Sequence, residues 1–116
     1  MRLDQVRQLL DGTMLCGDER AETIEVPSAF AADLMSDVLA FASAGAMLIT
    51  GLTSVQAVHT ADVADLKAVL FVCDKRPVQP ALDLARQLGL PLLTTPRSLF
   101  EACAILRAAG LPGASR

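Results

Sequence analysis

The sequence of 116 residues has few of the side chains on which nucleic-acid-binding surfaces depend. It contains no tryptophan or tyrosine and only four phenylalanines, so it lacks the aromatic platforms on which single strands stack. Its formal net charge is −3, which leaves no excess of cations for a phosphate backbone. We therefore expect no nucleic-acid partner.

Long apolar runs are also missing. No hydrophobic stretch approaches the roughly 20 residues that span a bilayer, and the N-terminal residues include Asp4 and lack the apolar centre of a signal peptide. We expect a cytoplasmic protein without a membrane partner. Yet 53% of the residues are hydrophobic and the mean hydropathy is +0.45. This surplus must be buried in a core or in an interface with another chain.

Cysteine is sparse, with only Cys16, Cys73 and Cys103. An odd number of widely spaced cysteines is unlike a disulfide framework, and small zinc sites usually have two close cysteines. Reduced thiols packed in the core are the simplest interpretation, so we expect no cofactor and no metal. An iron–sulfur or metal carrier would require the three thiols to meet in the fold.

Catalytic motifs are largely absent. The sequence has neither a GxxxxGK[ST] phosphate loop nor a GxGxxG motif. Its one histidine, His59, has no nucleophile in a recognisable turn beside it, and we interpret it as a surface or boundary residue. We therefore expect a protein that is not an enzyme.

Two short continuous apolar runs dominate what is present, at residues 46–49 and 68–72. Such runs are typical of parallel strands buried on both faces. Shorter strands are expected at 13–16, 23–26 and 91–94, and helices at 3–10, from Asp33 or Ser36 towards Gly45, at 55–64, at 80–88 and after Thr95-Pro96. Strands that alternate with helices predict a small α/β domain, with a mostly parallel sheet of four to five strands flanked by helices. The domain covers 1–111, and 112–116 forms a frayed C-terminal tail.

The first candidate site follows the run at 46–49. Ligands of parallel α/β sheets bind at the carboxyl ends of the strands, where Thr50, Gly51, Thr53 and Ser54 join a strand to a helix. Free backbone N–H groups and hydroxyls there could hold an anion. Capping of the helix by Thr53 or Ser54 is the competing interpretation.

A second candidate follows the run at 68–72. Asp74, Lys75 and Arg76 combine an acid with two cations, which suits phosphate binding, although a solvated turn is the alternative. Arg97 opens a later helix, where a cation opposes the helix dipole. An anionic ligand or a partner carboxylate would explain its position.

The order of these segments resembles that of the DRTGG domain over nearly the whole chain. The likeness is carried by residues 32–41, 48–53, 61–72, 75–77 and 98–103. It is closest to free-standing members encoded beside iron-only hydrogenases and electron-transfer components; other members lie in phosphotransacetylases and between the CBS domains of regulatory pyrophosphatases. The resemblance implies the fold of the N-terminal domain of HPr kinase and of the Mur ligases. Where the family signature has Asp-Arg, this chain has Gly51-Leu52, and Thr-Gly-Gly is replaced by about Cys73-Asp74-Lys75.

Three hypotheses about function follow from the resemblance and the composition. The first is a non-catalytic, homodimeric regulatory or assembly module associated with hydrogenase or electron-transfer proteins. The second is a sensor that holds a nucleotide or another phosphorylated metabolite in the loops 50–54 and 74–76. The third is the metal or iron–sulfur carrier.

Overall fold

The structure is a computed structural model that describes all 116 residues, as one sheet of five strands with five helices. The strands are β1 (Thr13–Cys16), β2 (Ala29–Ala31), β3 (Met47–Thr50), β4 (Ala68–Phe71) and β5 (Leu92–Thr94). The helices are α1 (Leu3–Leu9), α2 (Met35–Phe41), α3 (Val55–Val63), α4 (Gln79–Leu88) and α5 (Leu99–Ala108). None of these helices has the length and apolar character that a bilayer-spanning segment requires.

The sheet has the strand order β1-β5-β4-β3-β2. Strands β2 to β5 are parallel and β1 joins β5 antiparallel. The two apolar runs lie side by side at the centre, with Ile49 opposite Leu70, and every residue of β3 and β4 is buried. The predicted α/β fold with a mostly parallel sheet is confirmed.

The two faces of the sheet are covered unequally. Alternate residues such as Leu48 and Phe71 pack on one face against α2, α3 and α4. Met47 and Leu70 point to the other face, where only α1 and α5 cover the sheet. Because side chains alternate along a strand, both faces of the sheet must be shielded from water. On the face with only two helices, a cavity remains beside β2.

The predicted strand at 23–26 is wrong, and the edge strand β2 was missed. Residues 24–26 pair with the start of the chain only through single bonds, such as Val26 N–H to the Met1 carbonyl at 2.7 Å, and one isolated bridge joins Arg2 to Glu25. The alternating pattern arises because Val26 is buried beside α1 while Glu25 is exposed. An alternating pattern reports burial on one side but not membership of a sheet.

Two helices, α5 and α4, differ from the sequence predictions. Ser98, and not Thr95, caps α5, through a reciprocal capping box with Glu101. The Thr95 hydroxyl instead donates to the Leu10 carbonyl at 2.6 Å in the core. The apolar spacing of α4 in the sequence predicts that Leu88 lies on its buried side, but Leu88 is exposed, and the small residues Ala81 and Ala85 are the fully buried ones.

The C-terminal residues 112–116 are not frayed as expected. The N–H of Ala114 donates to the Ala29 carbonyl at 2.9 Å, and the Ser43 N–H donates to the Ala114 carbonyl at 2.7 Å. The Arg116 guanidinium donates to the carbonyls of Leu39 and Ala40 at the end of α2. This segment, which we call the C-terminal strap, therefore closes part of the open edge of β2.

Candidate functional site

The carboxyl ends of the four parallel strands form one edge of the sheet, which we call the rim. Asp33 follows β2, and residues 73–76 follow β4. Thr50 ends β3 and Gly51 follows it; Thr94 ends β5 and Thr95 follows it. Both predicted candidate segments therefore lie on the same edge, after neighbouring strands.

The side chain that organises the rim is Asp33. Its Oδ1 accepts the Gly51 N–H at 2.7 Å and the Thr50 hydroxyl at 3.0 Å. The Thr50 oxygen in turn accepts the Leu52 N–H at 3.1 Å. The Gly51 N–H and the Thr50 hydroxyl, which the sequence analysis proposed as donors to a bound anion, therefore donate to a carboxylate of the chain itself. The interpretation of Asp33 as a cap of α2 is wrong; Leu34 precedes the helix, without a side-chain cap.

Thr53 and Ser54 lie between this loop and α3. Ser54 precedes the helix, but its hydroxyl accepts no N–H from the first turn, so the capping interpretation is wrong for this residue. The carbonyl of Thr53 accepts the Val78 N–H at 3.0 Å, which ties the loop to the start of α4. Both residues are only partly exposed.

Residues 72–75 form a tight turn in which the Lys75 N–H donates to the Val72 carbonyl at 3.1 Å. Its central residues Cys73 and Asp74 have φ of 59° and 55°, as in a type I′ turn, which favours glycine or asparagine. The Cys73 N–H donates to Arg97 and the Asp74 N–H to Thr95, at 2.8 and 2.7 Å. Bonds to the β5 side therefore hold a strained backbone in place.

The charged groups of the rim have different partners. Lys75 Nζ contacts the Gly51 carbonyl at 3.5 Å. Lys75 and Arg76 are both exposed, and neither forms an ion pair. Arg97 pairs with Asp11 at 3.0 Å. The carboxylate that accounts for its position at a helix start therefore belongs to this chain.

None of the four main cavities lies at the rim. The four main cavities are lined by none of the seven residues predicted to bind a ligand. One polar cavity lies between Cys16, Arg20 and Arg86, beside the end of α4. A more apolar one of about 250 Å³ lies beside β2 and is lined by Ala31, Ile49, Cys103 and Leu106, among others.

The three cysteines do not meet. Cys16 packs on the face covered by α2 to α4, Cys103 contacts the core of the opposite face, and Cys73 is exposed at the rim. Burial raises the pKa of both the Cys16 and the Cys103 thiols, which keeps them protonated at neutral pH. No group of three or more histidine, cysteine or acidic side chains could hold a metal ion. The structure does not support the metal-carrier hypothesis.

Two features of the molecule were missed at the sequence level. Asp33 was assigned to a helix start because Asp is a common N-cap, and its bonds to β3 span 17 residues of sequence. The apolar cavity beside β2 could not be predicted because β2 itself was not recognised. The one usable signal was the high apolar content, which requires burial either in the core or in an interface.

Comparison with known proteins places the fold and the family. The chain superposes with a TM-score of 0.72 on a crystal structure of the CBS and DRTGG domains of the regulatory region of Clostridium perfringens pyrophosphatase, complexed with the activator diadenosine tetraphosphate. The sequences are 17% identical, and the match covers 96% of this chain but only 47% of the other. No curated protein matches the chain.

The family model of the DRTGG domain matches residues 5–109, and the observed sheet agrees with the fold of the clostridial structure. The match includes the whole rim and leaves out only the first four and the last seven residues. The chain therefore belongs to the DRTGG domain family.

Proposed function

We propose that this chain is a non-catalytic regulatory or assembly module that works as a homodimer in the cytoplasm. The observation that carries the proposal is the unequal cover of the sheet. Ala29, Ala31 and Ile49 line an apolar cavity on the face that only α1 and α5 cover. Open apolar surfaces on small domains commonly mark sites of association.

One exposed side chain adds to this argument. Nine large hydrophobic residues are exposed although the chain has only 116 residues. Eight of them are scattered over the helices and the turns before them, which is normal, but Phe100 is 82% exposed on α5, the helix that lines the cavity beside β2. The non-catalytic part of the proposal is supported by the position of His59 on α3, since this residue lines none of the four main cavities.

Light scattering coupled to size exclusion tests the homodimer. We expect a mass of twice 12.2 kDa at micromolar concentration. A species of 12.2 kDa up to 100 µM would contradict the proposal. Measurements with a reducing agent exclude a dimer that forms only through a disulfide of the exposed Cys73.

We further propose that its partners are hydrogenase or electron-transfer proteins. This part is supported by the resemblance to free-standing family members alone. Affinity purification from the native host under anaerobic conditions should recover such proteins in stoichiometric amounts. Recovery of the homodimer alone would contradict this part.

A nucleotide or another phosphorylated metabolite is a second candidate ligand, favoured by the free cations Lys75 and Arg76 at the rim. The clostridial structure contains a dinucleotide activator. A phosphate at this site would compete with Asp33 for the Gly51 N–H and the Thr50 hydroxyl, and Thr53 and Ser54 lie in the same loop.

Thermal unfolding in the presence of millimolar ATP or diadenosine tetraphosphate tests the second candidate. Binding would raise the melting temperature of the wild type and not that of the double variant K75A/R76A. The matched control is K67A, since Lys67 is exposed and precedes β4 at the opposite edge of the sheet. No shift with any nucleotide would contradict this candidate.

A further inference from the structure

The cavity beside β2 has the size and lining of a site for an aromatic ring. Its volume is about 250 Å³, and six of its nine lining residues are hydrophobic, among them Ala31, Ile49 and Leu106. Apolar cavities of about 150 Å³ in proteins bind benzene. A phenyl ring therefore fits this cavity, and the methyl groups of Ala29 and Ala31 leave the space for it.

The most exposed of the large hydrophobic side chains lies on the helix that borders this cavity. Phe100 is 82% exposed at the start of α5. Positions three, four and seven residues apart share one helix face, so Phe100 lies on the same face as Cys103 and Arg107, which line the cavity. One helix thus carries both an unpaired aromatic ring and one wall of a cavity that accepts such a ring.

The charges on α5 fit a second copy of the same helix in antiparallel orientation. Glu101 lies in the first turn and Arg107 in the last turn, both exposed, and Arg107 has no ion pair. A two-fold axis near Ala104 would place each Glu101 opposite the Arg107 of the other copy. A C2 interface is self-complementary in this way. Ala104 at the centre is exposed and small, which permits close approach.

We propose that two copies of this chain associate through α5, with Phe100 of each copy inserted into the cavity beside β2 of the other. This inference rests on the proposed homodimer and names its surface. The contact covers the part of the sheet face that α1 and α5 leave open. In this antiparallel arrangement Glu101 of each copy lies opposite Arg107 of the other, so that two attractive charge pairs form.

The first test is the variant F100S. The Phe100 side chain is mostly exposed in the single chain, so the variant retains its fold, which circular dichroism verifies. We expect its dimer dissociation constant, measured by sedimentation, to rise at least tenfold, because a ring that anchors an interface is lost. The matched control is V63S, at an exposed valine of α3, with an unchanged constant.

The second test is a charge exchange that reports the orientation. E101R and R107E each place like charges opposite one another in their own homodimer, so each alone should dimerise at least tenfold more weakly. In an equimolar mixture both contacts become attractive, and a heterodimer should form with near wild-type affinity. Loss of the Ser98–Glu101 capping box in E101R weakens the helix but cannot produce this recovery.

The outcomes of these tests distinguish a failure of the α5 interface from a failure of the homodimer proposal. A wild type that is monomeric up to 100 µM overturns both. A dimeric wild type with an unchanged F100S constant, or a mixture of E101R and R107E that forms no heterodimer, overturns the α5 surface and leaves the homodimer standing.

Discussion

The carboxylate of Asp33 accepts the N–H of Gly51 at 2.7 Å. This bond joins the segment after the edge strand β2 to the end of the central strand β3, and the same oxygen also accepts the Thr50 hydroxyl. These hydrogen bonds fix the start of the loop 50–54, which the sequence analysis predicted as an anion site. The rim is therefore a region of internal bonds with two free cations beside it.

Substitution D33A should destabilise the domain. It leaves the buried Thr50 hydroxyl and the Gly51 N–H without their acceptor, and hydrogen bonds to charged groups contribute about 1.5–3 kcal/mol. Urea denaturation should show a loss of this order. D62A, at an exposed aspartate with no side-chain hydrogen bond, is the control, with an expected change of about 0.5 kcal/mol or less. Equal effects of the two substitutions would contradict the role of Asp33.

The strained turn after β4 should be relieved by glycine. Cys73 has a φ of 59°, and left-handed backbone costs a non-glycine residue about 1 kcal/mol. C73G should therefore raise the free energy of unfolding by roughly 0.5–1 kcal/mol. K75G, at a residue outside the positive-φ region, should lower it by a similar amount. A destabilised C73G would show that the thiol, not the backbone, matters at this position.

Deletion of the C-terminal strap should destabilise the domain and open the edge of β2. It removes the backbone bonds of Ala114 and Arg116 to Ala29, Ser43 and Phe41, at about 0.5–1.5 kcal/mol each. The free energy of unfolding should fall by roughly 2–4 kcal/mol. R116A, which keeps the backbone bonds, should lose only about 0.3–1 kcal/mol. A deletion without effect would mean that the strap is not bound in solution.

The stability should fall at alkaline pH. Burial raises the pKa of the Cys16 and Cys103 thiols in the folded state above the ordinary value of 9.0. The unfolded chain therefore loses these protons first, and the stabilisation present below pH 9 declines as the pH rises towards the folded pKa. Urea denaturation at pH 8 to 10 under reducing conditions measures it. The decline should be smaller in C16A/C103A; an identical decline would assign it to other groups.

The sequence was most informative where burial on both faces left a continuous apolar run. Residues 46–49 and 68–72 predicted β3 and β4 because parallel strands covered by helices need no polar face. Ala29–Ala31 gave no such signal, since alanine has a low strand propensity and the strand has only three residues. Its pairing with β3 is set by tertiary contacts.

The candidate site was predictable in position but not in its bonds. The rim follows from strand order alone, because parallel strands end at one edge. The hydrogen bonds from Gly51 and Thr50 to Asp33 depend on the position of β2, because Asp33 follows this strand. The ion pair of Arg97 with Asp11 likewise joins residues 86 positions apart, which no local pattern contains.

A disulfide between residues 104 of two copies tests the association through α5 most directly. In the background C73S/C103A, A104C should form a covalent dimer within minutes of mild oxidation, because paired cysteines need Cα atoms only about 4.4–6.8 Å apart and the two-fold axis passes near this residue. V63C in the same background should remain a monomer on a non-reducing gel. An A104C that remains a monomer, or a V63C that cross-links as readily as A104C, would contradict the account.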